Sequence, residues 1–156
     1  MTDASKVAEA LVVQRELRID ASPETVFEFF TDPEKMRLWM GTEAELEPQP
    51  GGTLRIVIKP GSVAVGEFVR VERPHVLEFT WGWEGPDQPV PPGSSTVSVT
   101  LRSDGDGTIL TFRHAGLPTD EMMRAHGEGW DAYLARLAIA APGGDPGPDP
   151  FLQDRS

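Results

Sequence analysis

The chain has no cysteine, which excludes disulfides and thiol chemistry and leaves no redox clue to its compartment. Basic residues are scarce: 14 Lys and Arg stand against 25 Asp and Glu, for a formal net charge of -11. An acidic surface repels nucleic acid and anionic membranes, so neither is expected as a partner, and the charge is read mainly as a solvated face. No run approaches the roughly 20 apolar residues of a membrane span, and no signal-peptide pattern is visible. The expected compartment is therefore the cytoplasm. No internal repeat is apparent. What remains is 156 residues with 38% hydrophobic content, an ordinary composition for one soluble domain able to bury a core.

The most informative stretch is Thr119 to Ala141. Met122, Met123, His126, Trp130, Tyr133, Leu134, Leu137, Ala138 and Ala141 recur at steps of three and four, which predicts one long helix with an apolar stripe. Thr119 or Asp120 can cap its start, and Pro142-Gly143-Gly144 ends it. Earlier in the chain, Val13, Arg15, Leu17 and Ile19 alternate with polar residues as a strand. Ser22-Pro23 and Asp32-Pro33 each place a capping residue before a proline, predicting two short helices. The first would bury Val26, Phe27, Phe29 and Phe30, and the second a stripe of Met36, Trp39 and Met40. From Thr42 the period becomes two. Six further strands follow, separated by turns that include Pro50-Gly51-Gly52, Pro60-Gly61, Arg73-Pro74-His75 and Asp104-Gly105-Asp106-Gly107. Four prolines in residues 84–93 make that segment a loop, read as a rim.

Strands joined by short turns form an antiparallel sheet, and a lone long helix must bury its stripe against it. The fold class is thus α+β: a helix-grip arrangement in which a curved seven-stranded antiparallel sheet wraps a long C-terminal helix, with two short helices after the first strand. The expected organisation is a flexible arm at 1–10, a domain at 11–141 and a disordered Pro, Gly and Asp-rich tail at 142–156.

Four separated segments share this order with a known superfamily: ASPETVFEFFTDPEKMRLWMG at 21–41, GEFVRVERPHVLEFTWGW at 66–83, DGTILTFRHAGLP at 106–118 and HGEGWDAYLARL at 126–137. The chain resembles the START-like helix-grip proteins, also called Bet v 1-like, SRPBCC or polyketide cyclase-like. Within them it is most similar to the branch named for the activator of the ninety-kilodalton heat-shock chaperone's ATPase. Phe27 stands where many members have tryptophan. The resemblance implies a hydrophobic cavity between sheet and helix that binds a small apolar or amphipathic molecule, with no cofactor. It allows two other roles: a polyketide cyclase or dehydratase, or a chaperone-interacting module, with a chaperone or a second copy of the chain as partner. True chaperone activators carry an additional N-terminal domain, for which this chain is expected to have no room.

Candidate ligand-binding residues are Trp39, Ile56, Glu67, Val69, Phe79, Trp81, Val99, Met122, Met123, His126 and Trp130. The aromatic and methionine members suit a flat or flexible apolar ligand, or else simply fill a core. Glu67 and His126 are the candidates for acid–base chemistry if catalysis occurs. A three-residue turn at 73–75 sets Glu67 opposite Trp81 and Val69 opposite Phe79, which aims Glu67 inward. A bulge near Gly66 would instead turn Glu67 to solvent and Phe68 inward. His114 and His126 are placed to meet, but they lack a third partner for a metal, so none is expected. His114 is expected to bond backbone near the strand end, and His126 to line the cavity. Arg15, Arg55 and Arg113 either clamp an anionic head group from within or lie outward along the surface. Gly127 and Gly129 inside the helix each cost about 1 kcal/mol relative to Ala. They imply close approach of a strand or ligand, or a helix that kinks or starts after them.

Overall fold

The structure is a computed structural model that describes residues 11–149. The arm at 1–10 and the tail from 150 lie outside the described residues. Strand β1 (Val13–Ile19) leads into α1 (Pro23–Thr31) and α2 (Pro33–Met36). Six strands follow: β2 (Glu43–Leu46), β3 (Thr53–Lys59), β4 (Ser62–Glu72), β5 (Val76–Trp83), β6 (Ser95–Asp104) and β7 (Gly107–Ala115). Helix α3 (Asp120–Ala140) closes the domain. The seven strands form one curved antiparallel sheet in the order β1-β7-β6-β5-β4-β3-β2. This is the α+β helix-grip arrangement expected.

The caps act as the sequence implies. Ser22 Oγ accepts from the Thr25 N–H, Asp32 Oδ1 from Glu34 and Thr119 Oγ1 from Met122, each satisfying a backbone donor that the first turn of a helix leaves open. Helix α2 is shorter than the Met36, Trp39, Met40 stripe predicts. It ends at Met36, and residues 37–40 continue as turns that still bury Trp39 and Met40.

One face of the sheet holds the core. Ile56, Phe68, Leu77, Phe79, Trp81, Val97, Val99, Leu110 and Phe112 are buried on it. Against them lies the stripe of α3, led by Trp130, Tyr133, Leu134 and Leu137. Closure of β1 onto β7 sets Val13 opposite His114 and brings β1 beside α3. Gly127 is buried there. A Cβ at that position would lie 3.1 Å from Arg15 Nη2 and 3.7 Å from Val13 Cγ2. The helix runs unbroken through both glycines, so close approach of a strand accounts for Gly127.

Strand β4 carries the main correction to the sequence reading. Next to the turn the register follows the three-residue loop, with Glu72 opposite Val76 and Val71 opposite Leu77. A bulge at Val69 then shifts the pairing by one, so that Phe68, not Val69, faces Phe79. Because side chains alternate along a strand, that single extra residue turns Glu67 and Val69 outward and Phe68 inward. Glu67 and Val69 are exposed, and neither reaches the interior.

The tail also departs from expectation over its first part. Residues 142–149 turn back along α3, where the Arg136 guanidinium donates to the carbonyls of Gly147 and Pro148 at 2.9 and 3.0 Å. Its Nε also holds the Trp39 carbonyl at 3.0 Å. The segment is thus held through its backbone by Arg136 and through the buried Asp149 carboxylate by Tyr133.

Candidate functional site

Between the strand face and α3 lies a hollow of about 230 Å³. Met40, Ile58, Trp81 and Trp83 wall it on the sheet side. Ala125, His126, Gly129, Trp130 and Tyr133 wall it on the helix side, with Lys59 and Ser62 from the end of β3 and the start of β4. No Asp or Glu contributes to this wall among the described residues. A second hollow of about 290 Å³ adjoins it, bounded by Met122 and the 84–90 stretch of the proline-rich loop. The two share Ser62, Trp83 and His126, which therefore form the partition between them.

Alternation along β5 puts Trp81 and Trp83 on one face, and the three-residue step from Gly127 to Trp130 turns that indole toward them. Trp81 and Trp130 lie 4.9 Å apart between centroids, and Trp130 lies 4.6 Å from Phe112. His114 and His126 sit edge to face at 5.3 Å.

The polar atoms in this aromatic cluster are tied to one another. Trp130 Nε1 donates to His114 Nδ1 at 3.0 Å. His114 Nε2 therefore carries the proton and donates to Ser95 Oγ at 2.8 Å, whose own hydroxyl donates to the Trp81 carbonyl at 2.7 Å. Likewise Trp83 Nε1 donates to His126 Nε2 at 3.1 Å, so His126 Nδ1 carries the proton and donates to the Met122 carbonyl at 2.8 Å. Both imidazoles are held neutral. Burial and the neighbouring His126 lower His114 to about 3. Burial also lowers His126, partly offset by its bond to Met122. Burial, with Asp149 beside it, pushes the Tyr133 phenol up, and that hydroxyl donates to Asp149 Oδ2 at 3.1 Å.

One donor is left over. The Trp81 indole N–H is buried and has no hydrogen-bond partner among the described residues. An unmet buried donor costs about 1–3 kcal/mol.

Of the residues singled out from the sequence, Trp81, His126 and Trp130 wall the first hollow, and Met122 the second. Ile56, Phe79 and Val99 are buried in the core away from both walls, and Met123 packs at the core's edge. Trp39 is also a core residue, packed on Phe30 and donating to the Phe29 carbonyl at 2.8 Å. His114 bonds side chains rather than the expected backbone. Arg15 leans on the helix, pairing with Asp131 of α3, while Arg55 pairs with Glu84 at the surface. Arg113 pairs in register with Gln14, on the face opposite Phe112. No cluster of three metal-ligating side chains occurs among the described residues. Sequence reasoning missed Met40, Ile58, Tyr133 and Gly129 as wall residues. Tyr133 follows Trp130 by three and His126 by seven, a helical spacing that already carried the signal.

A family model described as Activator of Hsp90 ATPase homolog 1-like protein matches residues 20–141. The chain belongs to this family. Among solved structures, an AHSA1-like protein of Rhizobium etli is 48% identical, over 90% of this chain and 87% of that one, with a TM-score of 0.71. CalU16 of Micromonospora echinospora is 26% identical, over 85% and 76%, with a TM-score of 0.67. An HSP90 activator of Plasmodium falciparum is 24% identical, over 82% and 94%, with a TM-score of 0.68, a likeness of fold alone. No curated protein matches the chain. The structure agrees with the START-like, Bet v 1-like architecture to which this AHSA1-like branch belongs. No helix among the described residues is long and apolar enough to cross a membrane.

Proposed function

We propose that the protein binds a small hydrophobic molecule in the hollow between β5 and α3. The observation that carries this reading is the wall itself: three indoles, a methionine and an isoleucine around about 230 Å³, with no carboxylate among the described residues. Dry apolar cavities of about 150 Å³ take up benzene, and drug-sized ligands need about 300 Å³ or more. The occupant is therefore the size of a bicyclic ring system or a short acyl chain. Helix-grip relatives support a ligand-binding or related role without naming the ligand.

Acid–base catalysis gains no support from the geometry. Glu67 faces solvent, and both ring nitrogens of His114 and of His126 are already committed to internal bonds. A general base needs a free lone pair within reach of the proton it removes.

Three of the four tryptophans wall the cavity, so intrinsic fluorescence reports directly on its occupant. Titration with bicyclic hydrocarbons and ketones is expected to give saturable quenching, and Gly129→Leu, which adds bulk to the wall, to weaken it at least about tenfold. Absence of saturable quenching across the series contradicts the reading.

A further inference from the structure

The two hollows are divided where a side chain of the sheet meets a side chain of the helix. Trp83 Nε1 donates to His126 Nε2 at 3.1 Å, so one bond crosses the gap between β5 and α3. Both partners are fixed from behind. The Trp83 backbone N–H donates to the Val90 carbonyl at 2.8 Å, and its indole meets Trp81 edge to face at 5.7 Å. His126 Nδ1 donates to the Met122 carbonyl at 2.8 Å. Chain order agrees on both elements. Along α3, Met122 walls the second hollow alone, His126 walls both, and Gly129 and Trp130 wall the first alone. Along β5 and the loop after it, Trp81 walls the first alone, Trp83 walls both, and Glu84 and Gln88 wall the second alone. A helix advances about 1.5 Å per residue and a strand about 3.3 Å, so each element passes through the pair from one hollow to the other.

We propose that the Trp83–His126 pair is the end wall that sets how long an occupant the first hollow accepts. This rests on the ligand-binding reading above and deepens it. The ligand class becomes a compact apolar molecule, a bicyclic ring or a chain of a few carbons, and long alkyl chains are excluded. Beyond the pair the chemistry changes, since Glu84 and Gln88 stand in the second wall and the Glu84 carboxylate pairs with Arg55. An alkyl chain that displaced the pair would break the indole–imidazole bond and press against these polar groups without replacing their hydration.

The test is the n-alkylbenzene series from toluene to hexylbenzene, titrated by calorimetry. Each buried methylene tightens binding about fourfold. Wild-type affinity is expected to climb at about that rate to butylbenzene, which has the carbon count of a bicyclic ring, and then to fall at least about tenfold by hexylbenzene. That profile needs no variant. Trp83→Leu and His126→Leu, one on each element, both remove the bond across the gap. In either, the fall should give way to a continued rise, so that the hexyl-to-butyl affinity ratio increases at least about tenfold. The ratio compares two ligands on one protein, so a general loosening of the fold, which weakens both, does not move it. A wild-type affinity that levels off or keeps rising past butylbenzene overturns the proposal, because nothing then stops the chain at the pair. A fall that both variants retain also overturns it, by placing the end wall elsewhere. Each of these results leaves the cavity reading intact, whereas failure of every member to bind contradicts both readings.

Discussion

His114 is fully buried between Ser95, Trp81 and Trp130. Charging it would break the Trp130 bond and place a cation beside His126 in an aromatic interior. Its native pKa, about 3, lies below the ordinary value of 6.5, so the unfolded chain takes up the proton first. The stability this group contributes is complete above pH 6.5 and drains as the pH falls toward 3, at about 1.4 kcal/mol per unit. Urea unfolding of the wild type between pH 7 and 5 is expected to show that extra slope relative to His114→Gln. Parallel slopes, or a wild type that gains stability on acidification, contradict it. Residue roles were only partly legible beforehand. The sequence put His114 and His126 near one another, but not the indole that satisfies each. Such pairings depend on side-chain reach across the sheet–helix gap, which periodicity does not encode.

Elements were read more reliably than residues because each carries its own punctuation. Ser22-Pro23, Asp32-Pro33 and Thr119 mark helix starts by chemistry that acts within four residues. Strand β4 shows where such signals end. Its valines alternate cleanly and leave two readings of Glu67 open, and a bulge at Val69 decides for solvent. The cause is non-local: Phe68 packs edge to face on Phe79, and its burial decides the face of the strand. Helix α3 offers a test at this scale. Its N-terminal half is pressed onto β1 at Gly127, beside the Arg15–Asp131 pair, whose exposure limits that pair to about 0–1 kcal/mol. Gly127→Val should therefore destabilise by about 1–3 kcal/mol through overpacking, despite losing a helix-weakening glycine. A rise in thermal midpoint would show that the helix is not pressed there.

At the scale of the molecule, the sheet from β3 to β5 and the helix α3 laid across it bound the hollow, so fold and site are one construction. The order of the seven strands and three helices was legible because four separated segments resemble one superfamily. The volume left between β5 and α3 was not, since it is what remains after many side-chain packings and no single position specifies it. The central claim is that this volume is a binding site rather than incidental space. A crystal structure of the protein grown with bromoindanone tests it most directly, because bromine is located by its anomalous signal independently of the protein density. The account predicts a bromine peak in the hollow walled by Met40, Ile58, Trp83, His126 and Trp130. Bromine confined to the outer surface, with side chains filling the gap between sheet and helix, would contradict it.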